Sequence, residues 1–352
     1  MDIELVRSVD ETPIGEWGEL AERAGHVFAT PEWLLTWWRN FGRSGRPLIA
    51  NVRRDGGLVA ILPMYVWWHR GLPVLRFIGH GPSDQLGPIG APLSDPETAD
   101  AVARAVAAIP LRRFVLLAEQ VGGDQAFGPL VRARHLYRES SPVLPFAHDS
   151  WDDFLRDRGG NFRQQIRRFP RRLGAAGRVS YRLASDPARL DDDLEALFEL
   201  HRRRWDGAET PFLRAAGFHR EVAALALARG WLRLWFLEVD GAPVAALYGF
   251  RFAGVESAYQ TGRDPAFQRH EVGFLLLAHA VRRALDDGMR EYRFLRGGSA
   301  LKARFATADP GLETTGLARG ASARFLLATA AAARGRSLGL RGRILDRAPA
   351  RP

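Results

Sequence analysis

No cysteine occurs in the 352 residues. That excludes disulfides, a thiol nucleophile and a thiolate-ligated metal. Lysine is nearly as scarce: of 50 lysines and arginines only Lys302 is lysine, so 50 − 1 = 49 are arginine. No apolar run approaches the ~18 residues of a membrane span. The opening MDIELVRSVDETPIGEW is acidic and lacks the apolar core of a secretory signal. A soluble, cytoplasmic protein without a bound metal is therefore expected, since the nine histidines are scattered and show no ligand spacing. A Gly-x-Ser-x-Gly hydrolase elbow is also missing.

What is present describes a globular chain, 46% hydrophobic and 26% charged. Its length suits two domains of about 150 residues each. A net charge of +10 and a pI near 10.8 point to anionic partners, whether nucleic acid, an anionic membrane surface or a phosphate-bearing ligand. Simple surface solubility in an arginine-biased chain accounts for the same excess.

The stretch Gly254 to Phe305 carries most of the functional signal. Val255 to Thr261 reads as a strand closed by Gly262. An Asp-Pro turn, the basic Gln268-Arg269-His270 and Gly273 then open a helix with apolar Phe274, Leu277, Ala278, Val281 and Leu285 at helical spacing. Gly288 ends it, and Tyr292 to Leu295 is a second strand. The free N–H groups at such a helix N-terminus suit the phosphates of a carrier. Lys302 lies just beyond; lysine offers a compact charge and a pKa that burial lowers, whereas arginine offers neither.

The chain reads as a repeat of pattern. Helices over Ile14 to Ala24 and Trp33 to Phe41 precede strands Leu48 to Val52, Leu58 to Trp68 and Leu72 to Ile78. Pro63 marks the long strand as an edge or a bulge. A glycine-rich loop, Gly79 to Pro88, a helix Glu97 to Ile109 and a strand Phe114 to Leu117 follow. Helices Leu190 to Trp205 and Ala215 to Arg229 then lead into strands Leu232 to Val239, Val244 to Phe252 and Val255 to Thr261. The expected partition is an N-terminal domain at 1–140, a linker at 141–160, a C-terminal domain at 161–320 and a basic tail at 321–352, helical or disordered. Ahead of the second half, Trp151 to Leu173 reads as a helix kinked at Pro170, with Arg163, Arg167, Arg168, Arg171 and Arg172 as an anion-binding arm or a solvated face.

The order of elements in the second half resembles that of a GNAT acyltransferase domain. Phe28-Ala29-Thr30-Pro31-Glu32-Trp33, Asn161-Phe162-Arg163, His201-Arg202-Arg203-Arg204-Trp205, Tyr259-Gln260-Thr261-Gly262 and Phe294-Leu295-Arg296-Gly297 with Lys302-Ala303-Arg304-Phe305 resemble the acetyltransferase-like family associated with cellulose and other polysaccharide gene clusters. That family is similar to the tandem-GNAT Fem-type aminoacyltransferases. The resemblance implies an α/β fold of tandem GNAT-like domains with mixed sheets. One departure is Glu271, which stands at the first glycine of the usual phosphate loop, where a carboxylate repels pyrophosphate.

The implied chemistry is acyl transfer from an acyl-CoA such as acetyl-CoA to an amine or hydroxyl of a small metabolite or saccharide. The expected catalytic set is Lys302, Asp84, His201 and Tyr259, with Asp84, His201 and Glu256 as candidate bases. Gln268, Arg269, Gly273 and Arg296 would hold the carrier, and Gln260, Arg204, Trp205 and Arg163 the substrate. Two other readings stay open: an aminoacyl-tRNA donor, favoured by the basic charge and the altered loop, and a catalytically silent scaffold.

Overall fold

The computed structural model describes residues 1–69, 72–112, 114–320, 324 and 327. The tail expected at 321–352 therefore lies, apart from positions 324 and 327, outside the described residues.

The first half runs β1 (Asp2–Val6), α1 (Ile14–Ala24), α2 (Pro31–Phe41), β2 (Arg46–Arg54), β3 (Gly57–His69), β4 (Leu72–Phe77), β5 (Ile89–Gly90), α3 (Pro96–Ala108), β6 (Val115–Gly122), α4 (Phe127–Leu130) and β7 (Arg134–Glu139). After β8 (Val143–Pro145), α5 (Trp151–Arg156) and α6 (Gly160–Gly174), the second half runs β9 (Val179–Leu183), α7 (Leu190–Arg204), α8 (Pro211–Arg214), α9 (Ala216–Ala228), β10 (Leu232–Val239), β11 (Ala242–Phe252), β12 (Val255–Arg263), α10 (Val272–Asp286), β13 (Glu291–Arg293), α11 (Ala300–Ala303) and β14 (Leu312–Leu317).

Two mixed sheets result, ordered β1-β2-β3-β4-β6-β14-β7, with β5 on β3, and β8-β13-β12-β11-β10-β9. Each holds an antiparallel meander, β2-β3-β4 or β10-β11-β12, followed by a helix and a parallel strand, β6 on β4 or β13 on β12. The meanders open on matching turns. Asp55-Gly56 and Asp240-Gly241 both take positive φ (49° and 87°; 50° and 82°), the conformation that two-residue hairpin loops require.

The next position in each sheet is filled from the other half: β14 pairs with β6, and β8 pairs with β13. Leu312–Leu317, expected in the C-terminal domain, thus belongs to the first sheet, and Val143–Pro145, expected in the linker, to the second.

Two local expectations are corrected. Pro63 is at neither an edge nor a bulge: β3 is central, and Pro63 stands where its partner changes from β5 (at Ala60 and Ile61) to β4 (from Met64), so one missing N–H falls at a gap in the ladder. The helix expected over Trp151 to Leu173 is two helices, parted around Gly159, where the chain turns; the second continues through Pro170.

The cores follow the sheets. Trp17, Phe28 and Trp33 from α1, its following turn and α2 pack with Phe218, Tyr248 and Phe250 of the second half in one continuous apolar cluster. Trp33 meets the Phe218, Phe250 and Tyr259 rings edge-on at 5.1, 5.6 and 5.8 Å. Aromatic packing of this kind adds to area burial and fixes how the halves meet. Among the described residues no helix is long and apolar enough to cross a membrane.

Candidate active site

Parallel pairing between β12 and β13 lasts only from Val255 opposite Glu291 to Ser257 opposite Arg293. Beyond that β12 runs on to Arg263 while the other strand has ended, leaving a wedge. The bulge between β11 and β12 begins here: Gly249 faces Ala258 and Tyr248 faces Gln260, so Tyr259 has no opposite residue. A Cβ on Gly249 would lie 2.1 Å from the Ser257 carbonyl oxygen, so only glycine permits this bulge. Tyr259 is turned toward the first half, and its hydroxyl donates to the Pro82 carbonyl at 2.6 Å.

Pro82 belongs to the glycine-rich loop singled out in the sequence. Two indoles of α2 hold that loop: Trp33 Nε1 donates to Ser83 Oγ (2.8 Å) and Trp37 Nε1 to the His80 carbonyl (2.9 Å). The loop carries Asp84 to the mouth of the wedge. A cavity of about 520 Å³ opens there, walled by His80, Asp84, Glu119, Gln120, Tyr137 and Glu139 of the first half and by Phe212, Arg214, His219, Tyr259, Gln260 and Arg296 of the second.

Asp84 is buried, and burial pushes its carboxyl up to about 6. The nearby Arg296 and Lys302 charges oppose that rise, and Glu139 adds to it. The backbone N–H of Arg296 donates to Asp84 Oδ2 at 3.4 Å, and its side-chain Nε lies 3.9 Å from Oδ1. Oriented to satisfy both of its amide atoms, Gln120 donates to the Ser83 carbonyl at 3.0 Å and accepts from Arg296. Glu119 is neutralised by Arg76, whose Nε donates to it at 2.8 Å.

Lys302 stands behind Arg296. Its ammonium donates to the carbonyls of Leu295 (3.2 Å), Arg296 (2.8 Å) and Gly297 (2.8 Å), using all three N–H groups. These carbonyls belong to a turn with Leu295 at φ 58° and Gly297 at φ 87°. Burial lowers the amine to about 8 against the pull of Asp84. The single lysine thus clamps the turn that presents Arg296, and it does not line the cavity.

His201, a candidate base, is also set back. Its Nδ1 lies 3.1 Å from the Thr261 carbonyl and its Nε2 3.0 Å from Thr210 Oγ1. Because a carbonyl only accepts, the ring donates from Nδ1, and Nε2 accepts the threonine proton. Burial lowers its pKa to about 4, so it is a neutral strut between α7, the start of α8 and β12. Glu256 is held by Arg251 (Nε to Oε2, 2.8 Å), away from the cavity.

Tyr259, Gln260, Asp84 and Arg296 are thus brought together. Arg204 donates to the Thr261 carbonyl (3.2 Å) and hydroxyl, and its guanidinium covers the half-exposed Trp205 ring; neither residue lines the cavity. Gln268 and Arg269 are exposed in the turn Pro265–His270, and Gly273 lies in the first turn of α10 with open space where a Cβ would be. Glu271 takes φ 57° as the N-cap of α10 without capping it through its side chain. Arg163 lies on α6, outside the cavity, and donates to the Arg156 carbonyl at 3.0 Å.

Several cavity residues escaped the sequence reading. His219 is fully buried, with neither ring nitrogen hydrogen-bonded among the described residues, and burial drives its pKa down to about 3. Tyr137 and Glu139 reach the site on β7, which enters the first sheet only through β14. No linear motif marks that placement.

A family model described as "Acetyltransferase (GNAT) domain" matches residues 160–303. No curated protein matches the chain. Among solved structures, FemX superposes with TM-score 0.65 at 11% identity, over 89% of this chain and 97% of FemX. L-PGS from Bacillus licheniformis gives 0.54 at 12% identity, over 91% and 96%. A C-terminal domain from Agrobacterium fabrum, described as that of a lysylphosphatidylglycerol synthetase, gives 0.56 at 12% identity, over 90% and 95%. At such identities the likeness is one of fold. The chain thus has the tandem GNAT-like α/β fold, and its segment 160–303 is similar to the GNAT acetyltransferase domain.

Proposed function

We propose that the protein is an acyltransferase that moves an acyl group, acetyl or related, from an acyl-CoA to an amine or hydroxyl of a small metabolite or saccharide. The observation that carries this reading is Asp84: a carboxylate with its pKa raised to about 6, facing a cavity of about 520 Å³ at the mouth of the wedge between β12 and β13. A base poised near neutral pH suits removal of a proton from an attacking amine or hydroxyl.

The acyl thioester enters the wedge and the acceptor occupies the cavity. Asp84 takes the acceptor's proton as its nitrogen or oxygen bonds to the acyl carbon. The carbon–sulfur bond then breaks, and the proton passes to the departing thiolate. Arg296, fixed from behind by Lys302, offsets the negative charge that develops in the intermediate. The polysaccharide-cluster resemblance favours a saccharide as acceptor.

The test uses the chain's lack of cysteine, because free thiol then comes only from the carrier. Thiol release from acetyl-CoA is followed with a panel of amino sugars, polyols and amines. Acceptor-dependent release that Asp84→Asn abolishes supports the reading; release unchanged in Asp84→Asn, or none with any acceptor, overturns it.

A further inference from the structure

We infer that the arginine face of α6 is an anchoring site for the phosphates of a nucleotide-based acyl carrier. Calling the ligand the carrier rests on the function proposed above; the phosphate site stands on the features of α6 itself.

Arg163, Arg167 and Arg171 follow one another at four-residue steps, ~6 Å apart along the axis, and Arg168 and Arg172 flank them. Together with Gly160 and Gln164 they form one open, solvent-facing side of the helix. On other helices several arginines are matched by a carboxylate one turn away. Arg104 pairs with Asp100 on α3, Arg203 with Glu199 on α7, and Arg282 and Arg283 with Asp286 and Asp287 on α10. The α6 segment Gly160–Gly174 contains no carboxylate, and among the described residues none of its five arginines has an ion-pair partner. Like charges one turn apart weaken a helix. An anionic ligand along the row removes that repulsion, and guanidinium forks bind phosphate two-pronged.

The helix itself is packed against the start of α10. On the opposite face of α6, Phe162 and Phe169 pack edge-on against Phe274 in the first turn of α10, at 5.6 and 5.5 Å. Gln165 accepts from Arg304, whose guanidinium lies over the Phe274 ring at 3.9 Å. The helix that carries the arginine row is therefore fixed to the helix start at which a carrier's phosphates are expected, with the row on its far side. There Glu271 presents a carboxylate among the basic Arg269, His270 and Arg304, and the α6 row adds a separate block of positive charge beyond it.

Coenzyme A and RNA share this phosphate chemistry, and two probes separate them. Binding of coenzyme A is measured by calorimetry, and that of a fluorescein-labelled twelve-nucleotide single-stranded RNA by anisotropy, each between 50 and 200 mM salt. The wild type is compared with Arg167→Gln/Arg168→Gln/Arg171→Gln/Arg172→Gln, all exposed positions, and with the corresponding four-lysine variant as a charge-preserving control of fold. The site predicts at least tenfold weaker binding of one probe by the glutamine variant, with the lysine variant largely retaining it. If the probe is RNA, the log–log salt slope also shrinks by about 3, at ~0.7 per lost contact. Equal affinities in wild type and glutamine variant, or no binding of either probe by the wild type, overturns the inference. Acetyl-CoA turnover that persists in the glutamine variant with unchanged KM spares the proposed function while removing this site from it. Probe binding through α6 without any acyl transfer does the reverse.

Discussion

Asp84 and Arg296 are separated by most of the chain, yet the backbone N–H of Arg296 donates to Asp84 Oδ2 at 3.4 Å. One comes from the loop after the first meander and the other from the turn after β13, so the contact exists only when both halves are assembled. It joins the candidate base to the wedge.

Asp84→Asn is expected to lower kcat by about 10²–10⁴, the range general-base catalysis supplies. In the wild type, kcat/KM should rise with pH through an apparent pKa of about 6, as Asp84 ionises, and the variant should lose that limb. A pH–rate profile of both proteins is the check.

The same residue has an opposite effect on stability. A folded pKa of about 6 against an ordinary 3.8 means the native state holds the proton more tightly than the unfolded chain. Its favourable contribution is full below pH 3.8 and is lost as pH rises through 6, for a total of about 3 kcal/mol. Asp84→Asn should therefore melt higher than the wild type at pH 7, with the gap closing at pH 4. Thermal melts across that range decide it.

Lys302→Met frees three carbonyls of the turn that presents Arg296. A loss of about 1.5–3 kcal/mol is expected for removing hydrogen bonds to a charged group. Lys302→Arg should not restore it, because a planar fork cannot aim at three convergent carbonyls as an ammonium does. Denaturant unfolding of the two variants distinguishes a clamp from a merely charged position.

His219→Phe should leave stability unchanged or raise it, since two buried ring nitrogens without partners among the described residues are replaced by carbon of similar shape. If a bound acceptor normally satisfies those nitrogens, the variant raises its KM more than it lowers kcat. Melting and steady-state kinetics together read both effects.

Gly249→Ala places a methyl group where the Ser257 carbonyl oxygen lies 2.1 Å away. The bulge that turns out Tyr259 cannot then close, and a cost of about 1–3 kcal/mol or more is expected from the overpacking. Loss of the Tyr259–Pro82 hydrogen bond, read in a crystal structure or by the tyrosine's ring resonances, is the accompanying sign.

Sequence carried a good part of this. The runs of three strands in each half and the α10 periodicity with its Gly288 stop are local signals, and the two-unit fold follows from their order. The two strands that flank the wedge, Val255 to Thr261 and Tyr292 to Leu295, were legible, but not where their pairing stops. Lys302 drew notice by scarcity, but scarcity says nothing of direction, and its ammonium turns to the backbone instead of the cavity. His201 on a helix gave no hint that Thr210 and Thr261 would consume both of its nitrogens. His219 and Glu139 reach the site through helix packing and strand insertion, which depend on partners more than a hundred residues away. Such placements leave no periodicity to read.

The exchange of β8 and β14 between the sheets bears on how the protein is made. During synthesis the first sheet leaves the ribosome without the strand that separates β6 from β7, and it waits until Leu312–Leu317 emerges nearly two hundred residues after β6. Its two inner edges stay open for that interval, and closing so long a loop slows the final step. A chain stopped before Leu312 should therefore end as an unfinished sheet prone to pairing with its neighbours.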